Sequence, residues 1–383
     1  MSTLMHKGGI ISASNYILIL MVALLSLPVK AAPLSPADRD TIQQQQQQLL
    51  IQNQQQRDEL ERSIPLPAPT RPQPAAQGSG PCFTIHTITL SGATVIAEKA
   101  RKRLVEPWLN RCLDQVKINE LTTHISDWYI SRGYITSRAF LTEQDLSHGQ
   151  LNIVVLEGKL EAIRLEGKTP LMLKMAFPGR TGRILNLRDI EQGMEQINRL
   201  RAEPVQIDIL PGSQPEYSVV NLTAKPEFPL RATISLDNSG QESTGENQLN
   251  GALYANNILG LADQWFISGG RSSDFATRYD AQNFQAGVSL PFGYGLLDYS
   301  YAWSNYRTTI DNMGFDWIST GDTKTHRVNA SWVVYRNGDI KTGLAAGMVQ
   351  RSSRNWLNDA PLQSSTRNLS SLILGITHTQ KLA

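Results

Sequence analysis

Past the apolar stretch that ends near Pro28, the chain has no run approaching the roughly 20 apolar residues a membrane-spanning helix requires. Hydrophobic residues make up 40% and aromatic residues 7%, enough for folded domains and too little for a bundle of membrane helices. If the chain enters a membrane, it does so as strands. Charge of one sign is also missing: 36 Lys+Arg stand against 34 Asp+Glu, so no basic excess argues for nucleic acid as a partner. The six histidines (His6, His86, His124, His148, His326, His378) show neither H-x-x-x-H spacing nor a flanking cluster. No P-loop pattern occurs, and "PGRTGR" near Arg180 reads as a turn. Hydrolytic, metal and nucleotide chemistry therefore find no residues to carry them; the expectation is no enzyme, no cofactor, no nucleotide and no nucleic acid.

What is present begins with an address. Lys7 is a sparse positive region ahead of "IISASNYILILMVALLSLP", and small residues follow at "VKAAP". Val29 and Ala31 suit a secretory signal over 1–31, cleaved after Ala31 or Ala32, the alternative being an uncleaved anchor. Either way the chain is exported. Cys82 and Cys112 are the only cysteines, and an even number in an oxidising compartment points to one disulfide, two buried thiols being the other reading. Residues 32–62, with "TIQQQQQQLLIQNQQQRDELERS", predict a polar helix whose few apolar positions cannot form a full core-facing stripe. The Pro-rich stretch 63–80 is an extended linker and a domain boundary.

Over 81–226 short strands alternate with amphipathic helices. Ile118, Leu121, Ile125 and Trp128 lie three or four apart and give one helical face, followed by "YITSRAF" and "LNIVVLEG" as strands. A second round starts at "KLEAIRLEG", where Asn186 can cap a helix presenting Leu187, Ile190, Met194 and Ile197. Strands "PVQIDIL" and "YSVVNLTA" follow it. Two α+β modules, 81–158 and 159–226, each strand-helix-helix-strand-strand, are the expected internal repeat.

From 227 to 383 the period becomes two. In "YGLLDYSYAW", Leu297, Tyr299, Tyr301 and Trp303 fall on one side and Asp298, Ser300 and Ala302 on the other. "QNFQAGVSL" and "HRVNASWVV" repeat the alternation, and about eight such strands can be counted, several long enough to cross a bilayer at a tilt. Connections at "NNILGLAD", "PFGYG" and "YRNGD" are short. Those around Asp237–Glu246, Tyr306–Thr323 and Arg351–Arg367 read as longer, polar loops. Sorting of this kind is that of an outer-membrane antiparallel β-barrel with short periplasmic turns, its apolar positions facing lipid, the alternative being a soluble β-sandwich.

The order of parts is similar to that of the two-partner secretion outer-membrane transporters, the hemolysin activator/secretion family of ShlB, FhaC and HecB. The likeness rests on "PCFTIHTITLSG" and on "LTTHISDWYISRGYITSRAFLTEQDLSHGQLNIVVLEGKLEAIRLEG". It implies that 81–158 and 159–226 are polypeptide-transport-associated (POTRA) modules, with Gly133 and Tyr134 at the exit of a helix and Glu157 and Gly158 at the junction between modules. It further implies a pore plug for the helix over 32–62 and a secreted exoprotein client of the hemolysin, adhesin or contact-dependent toxin kind. That client would be recognised unfolded in the periplasm and passed through the barrel. Family barrels have about twice as many strands and an Arg-Gly-Tyr loop in their second half, so 227–383 is expected to be the N-terminal half of a barrel in a C-terminally truncated chain. A non-transporting remnant and a structural or adhesive barrel are the alternatives. Arg132, Gly133 and Tyr134 spell the same triplet but sit within the first module.

Overall fold

The computed structural model describes residues 81–272 and 274–381. The expected signal with Ala31 and Ala32, the polar helix over 32–62 and the linker over 63–80 lie outside the described residues.

The first module runs β1 (Phe83–Ile85), β2 (Thr87–Ser91), α1 (Glu98–Val105), β3 (Arg111–Leu113), α2 (Gln115–Ile130), β4 (Arg138–Leu141) and β5 (Gln150–Leu156). β2 and β5 pair in parallel, which obliges the chain to cross over, and the two helices lie in that crossover. β4 pairs antiparallel with β5, giving the order β2-β5-β4. Asp114 opens α2 by accepting from the Lys117 backbone N–H at 2.9 Å. Ile118, Leu121 and Ile125 then pack against Leu151, Ile153 and Val155, the alternate residues of β5. β1 and β3 form a separate two-stranded ribbon in which Thr84 opposes Cys112. Cys82 and Cys112 are joined across it, with Cα atoms 5.3 Å apart.

The second module repeats the winding with β6 (Lys159–Leu165), α3 (Leu171–Ala176), α4 (Leu187–Asn198), β7 (Gln206–Pro211) and β8 (Tyr217–Thr223), in the order β6-β8-β7. Asn186 caps α4 by accepting from the Arg188 N–H at 2.9 Å. Ile190, Met194 and Ile197 enter the core, and Leu187 is buried as well. The opposite, polar side of α4 is buried as well, because the large sheet lies against it.

That sheet comprises β9 (Leu230–Asp237), β10 (Gln248–Asn256), β11 (Gln264–Ser272), β12 (Asp280–Phe292), β13 (Gly295–Asn312), β14 (Phe315–Arg336), β15 (Ile340–Leu357), β16 (Ala360–Pro361) and β17 (Arg367–Gln380). All pairings are antiparallel; from β9 to β15 each strand neighbours the next in sequence, and β17 lies beside β15. Among the described residues no pairing joins β9 to β17, so the sheet has two edges.

Register shows what each face meets. One row across the sheet reads Trp265, Val288, Tyr299, Val328, Met348 and Leu372, every member apolar or aromatic. On the other face Gly270, Asn283, Ser304, Thr323 and Ser353 form a polar row. There Thr323 and Ser353 hydroxyls bond at 3.0 Å, and the Tyr306 hydroxyl donates to Asn355 Oδ1 at 2.9 Å. Leu297, Tyr299, Tyr301 and Trp303 thus share the apolar face and Asp298 and Ser300 the polar one. From Trp332 to Lys324 on the apolar face is eight residue steps along β14, about 27 Å of strand at about 3.4 Å per residue. Tilted by about 40°, it spans about 21 Å of height, close to the band of a membrane barrel.

One expected loop is strand instead, and another, Arg351–Arg367, is strand in part. Tyr306–Thr323 continues the β13–β14 hairpin to the pair Asn312↔Phe315, turning at Met313 and Gly314, whose φ values of 54° and 79° are those of a type I′ turn. β15 likewise runs on to Leu357. Where a strand rises beyond the apolar band both its faces meet water. Polarity there marks height rather than irregular backbone.

Candidate functional site: two module junctions and two sheet edges

The residues singled out in the first module lie at its junction with the second. Helix α2 ends in a Schellman arrangement: the Gly133 N–H donates to Ile130 O at 2.9 Å and the Tyr134 N–H to Tyr129 O at 3.0 Å. Gly133 takes φ +90°, and a side chain there would meet Asn186 Oδ1 at 2.6 Å. It can approach so closely because its carbonyl accepts from the Leu187 N–H at 2.8 Å, while Asn186 Nδ2 donates to Arg132 O at 3.1 Å. The end of α2 is thereby tied to the start of α4.

Glu157 is 7% exposed and accepts from three donors, the Val95 N–H at 2.8 Å, the Tyr129 hydroxyl at 2.6 Å and the Thr94 hydroxyl. Burial, followed by the facing Glu157 carboxylate, pushes the Tyr129 hydroxyl pKa well above its ordinary value, so the tyrosine remains a donor. Tyr134 packs edge-on to Tyr129 at 6.0 Å. Gly158 donates to Ser137 Oγ at 3.1 Å, and its carbonyl accepts from the Leu185 N–H at 2.8 Å. A Cβ at Gly158 would stand 2.8 Å from Thr136 O. These residues brace an elbow; none is placed to do chemistry.

The second junction joins α4 to the connections 257–263, 293–294 and 337–339 at one end of the sheet. Arg336, its side chain 1% exposed, reaches Glu191 at 3.3 Å, Glu195 at 2.5 Å and Gln192 Oε1 at 3.1 Å. Lys341 reaches Glu195 at 2.7 Å, and Arg188 reaches Glu191 at 2.6 Å. Three cations and two carboxylates thus share one buried cluster, with both acidic residues on α4. Gln196 Nε2 donates to Gly293 O at 3.0 Å and the Gly293 N–H to Met175 O at 2.8 Å. The Tyr294 hydroxyl donates to Asp189 at 2.6 Å, and Asp189 also pairs with Arg180 at 2.7 Å. At the next connection Arg199 donates to Ala262 O at 2.8 Å and to Ser289 Oγ at 3.1 Å, while Asn256 donates to Leu200 O at 2.7 Å. Ala262 is itself part of the second module's core. Sequence reasoning missed Glu191, Glu195, Arg336 and Lys341. The available signal was α4's polar side, which reads like a solvated surface until its partner surface is known.

Free strand edges are the surfaces open to another chain. In the first module β4 is an edge, with Phe140 and Leu141 exposed, although the Ala139 N–H is already taken by Ser126 Oγ at 3.0 Å. In the second, β7 is an edge, with Leu210 exposed and Pro211 at its end. No helix among the described residues is long and apolar enough to cross a membrane.

Residues 216–383 match the family described as haemolysin secretion/activation protein ShlB/FhaC/HecB. Residues 83–158 match the ShlB-type POTRA domain and 159–211 a further POTRA domain. The outer membrane transporter CdiB of Escherichia coli is 56% identical over 94% of this chain and 62% of its own length. The hemolysin transporter protein ShlB of Serratia marcescens is 28% identical over 81% of this chain and 55% of its own. Among solved structures, CdiB from Escherichia coli superposes with a TM-score of 0.87 at 58% identity, covering 92% of this chain and 66% of that one. CdiB from Acinetobacter baumannii gives 0.72 at 26% identity, with coverage of 92% and 69%. The chain therefore spans less than two thirds of the length of the Escherichia coli and Serratia relatives.

Proposed function

This chain belongs to the haemolysin secretion/activation ShlB/FhaC/HecB family, with two POTRA domains ahead of its strands, and from that premise we propose that it acts in outer-membrane secretion of an exoprotein. In this reading it recognises an unfolded client of the hemolysin, adhesin or contact-dependent toxin kind in the periplasm. The β-barrel to which its sheet belongs then passes the client across the membrane. It works as a transporter rather than an enzyme.

The observation that carries the reading is the buried joint between α4 and the sheet connections. It fixes two modules with exposed strand edges at one end of a sheet whose apolar face fits lipid and whose other face is polar. An extended client can add to β4 or β7 by backbone hydrogen bonds, which demand little of its sequence. Of the two, β7 has no strand amide bonded to a side chain among the described residues, whereas one β4 amide must exchange Ser126 for the client. A peptide leaving such an edge is already close to the polar face.

The test is secretion from cells carrying the intact gene and a partner exoprotein. Export is expected with the gene and lost on its deletion. Leu210→Lys, which places a charge beside the β7 edge, is expected to lower export severalfold while leaving membrane insertion unchanged. Export that persists after deletion would leave a structural or adhesive barrel as the better reading.

A further inference from the structure

On the apolar face, the rows change character with distance from the modules. The Val288, Tyr299, Val328, Met348 and Leu372 row gives way to Ala286, Tyr301, His326 and Gln350, then to Phe284, Trp303, Lys324 and Ser352. Next come Gln282, Asn305, Asp322 and Arg354, and above them Arg307 with Thr320 and Trp356. Aromatic rings thus mark the upper limit of the apolar band, and cations stand level with them or above.

Those cations are not all alike. Arg271 is held by Asp280 at 2.9 Å and Arg278 by Asp316 at 2.9 Å. Lys324, Arg354 and Arg307 make no ion pair among the described residues. Lys324 sits directly across from Trp303, Arg354 lies one strand over and two residues higher, and Arg307 lies one strand over on the other side. Asp322 opposes Arg354 in register and forms no salt bridge within 4.0 Å, while Asp280, which opposes Arg307, is engaged by Arg271. Hydroxyl and amide groups of Ser352, Asn305 and Gln282 fill the same patch.

We propose that Lys324, Arg354 and Arg307 form an outward-facing site for a phosphate-bearing lipid headgroup in the leaflet opposite the modules, the acyl chains lying along the Tyr301, Trp303 and Val328 side of the wall. The inference rests on the barrel reading above. Charge complementarity and height single out the ligand. Three cations without an ion pair outnumber Asp322, the one carboxylate of the patch not already held by another cation, and the rings of Trp303 and Tyr301 and then Val328 continue below for its tails. A soluble anion would need no such wall.

The full chain is reconstituted in phosphatidylcholine vesicles with and without lipid A, and retained lipid is counted by native mass spectrometry after extraction. The triple variant Lys324→Gln/Arg354→Gln/Arg307→Gln is compared with Arg278→Gln, which removes a cation already paired with Asp316 and leaves Asp280 held by Arg271. Each unpaired cation should contribute about fivefold in affinity, so the triple variant should bind lipid A roughly a hundredfold more weakly. The paired-cation variant should bind as the parent does. Equal retention by the triple variant overturns the site. So does competition by inorganic phosphate at the concentration at which lipid A binds, since the ligand would then be a free anion. Heat-modifiable gel migration of each variant separates the two levels of argument. A parent chain that never inserts sinks the barrel reading and this site together, whereas an inserted triple variant with undiminished lipid sinks the site alone.

Discussion

Glu157 is the residue whose replacement should be felt most in the first module. It accepts from Thr94, Val95 and Tyr129 while buried, so Glu157→Gln confronts at least one of those donors with an amide NH2. A loss of about 2–3 kcal/mol is expected, read from the urea midpoint reported by Trp108 and Trp128. Tyr129→Phe should cost less, about 1–2 kcal/mol, because two donors remain. Asp263 offers a pH-dependent counterpart in the 257–263 connection. Burial works to raise its carboxyl pKa, but the N–H groups of Leu259 and Leu261 and the Trp265 indole N–H outweigh burial and hold it below the usual range. A depressed folded-state value means that its contribution is complete above about pH 4, the ordinary aspartate range, and is lost as the pH falls through the folded value. Acid titration of Trp265 fluorescence should show that loss, and Asp263→Asn should remove the dependence.

Helix α4 is the element on which both junctions converge. Arg336→Ala would leave Glu191 with Arg188 and Glu195 with Lys341 while opening space at a buried joint, so the cost should fall below the roughly 3–5 kcal/mol of leaving a buried charge with no partner. The expected outcome is an inserted sheet whose modules are released, seen as new protease cleavage near 225–229 and a fall in export. Opening the Cys82–Cys112 bridge should act elsewhere, lowering the stability of the first module by about 2–4 kcal/mol and leaving the α4 joint intact. The apolar side of α4 was legible from Leu187, Ile190, Met194 and Ile197 because their spacing follows the helical period. Its polar side was not, since the reason for burying Glu191 and Glu195 lies in Arg336 and Lys341, more than 140 residues away. The β1–β3 ribbon escaped for a different reason: three-residue strands are too short to display a period.

For the molecule as a whole, the alternation in β12 to β15 was readable because lipid and a polar interior demand opposite residues at every step. Strand extensions above the band were misread as loops because water on both sides makes no such demand. Amide exchange in detergent should rank the strands by the number of neighbours each has: slowest in β12, β13 and β14, and fast along the outer sides of β9 and β17. Equal protection of β9 and the sheet interior would mean that something else covers that edge. From β9 to β15 the ladder follows chain order, with only short excursions such as β16 before β17 returns beside β15. Such a topology has low contact order in its hairpins, so loop-closure entropy is met in small instalments and each hairpin finds its partner already waiting. A wall built this way can grow one strand at a time along the chain, exposing only its first and its newest edge while it grows.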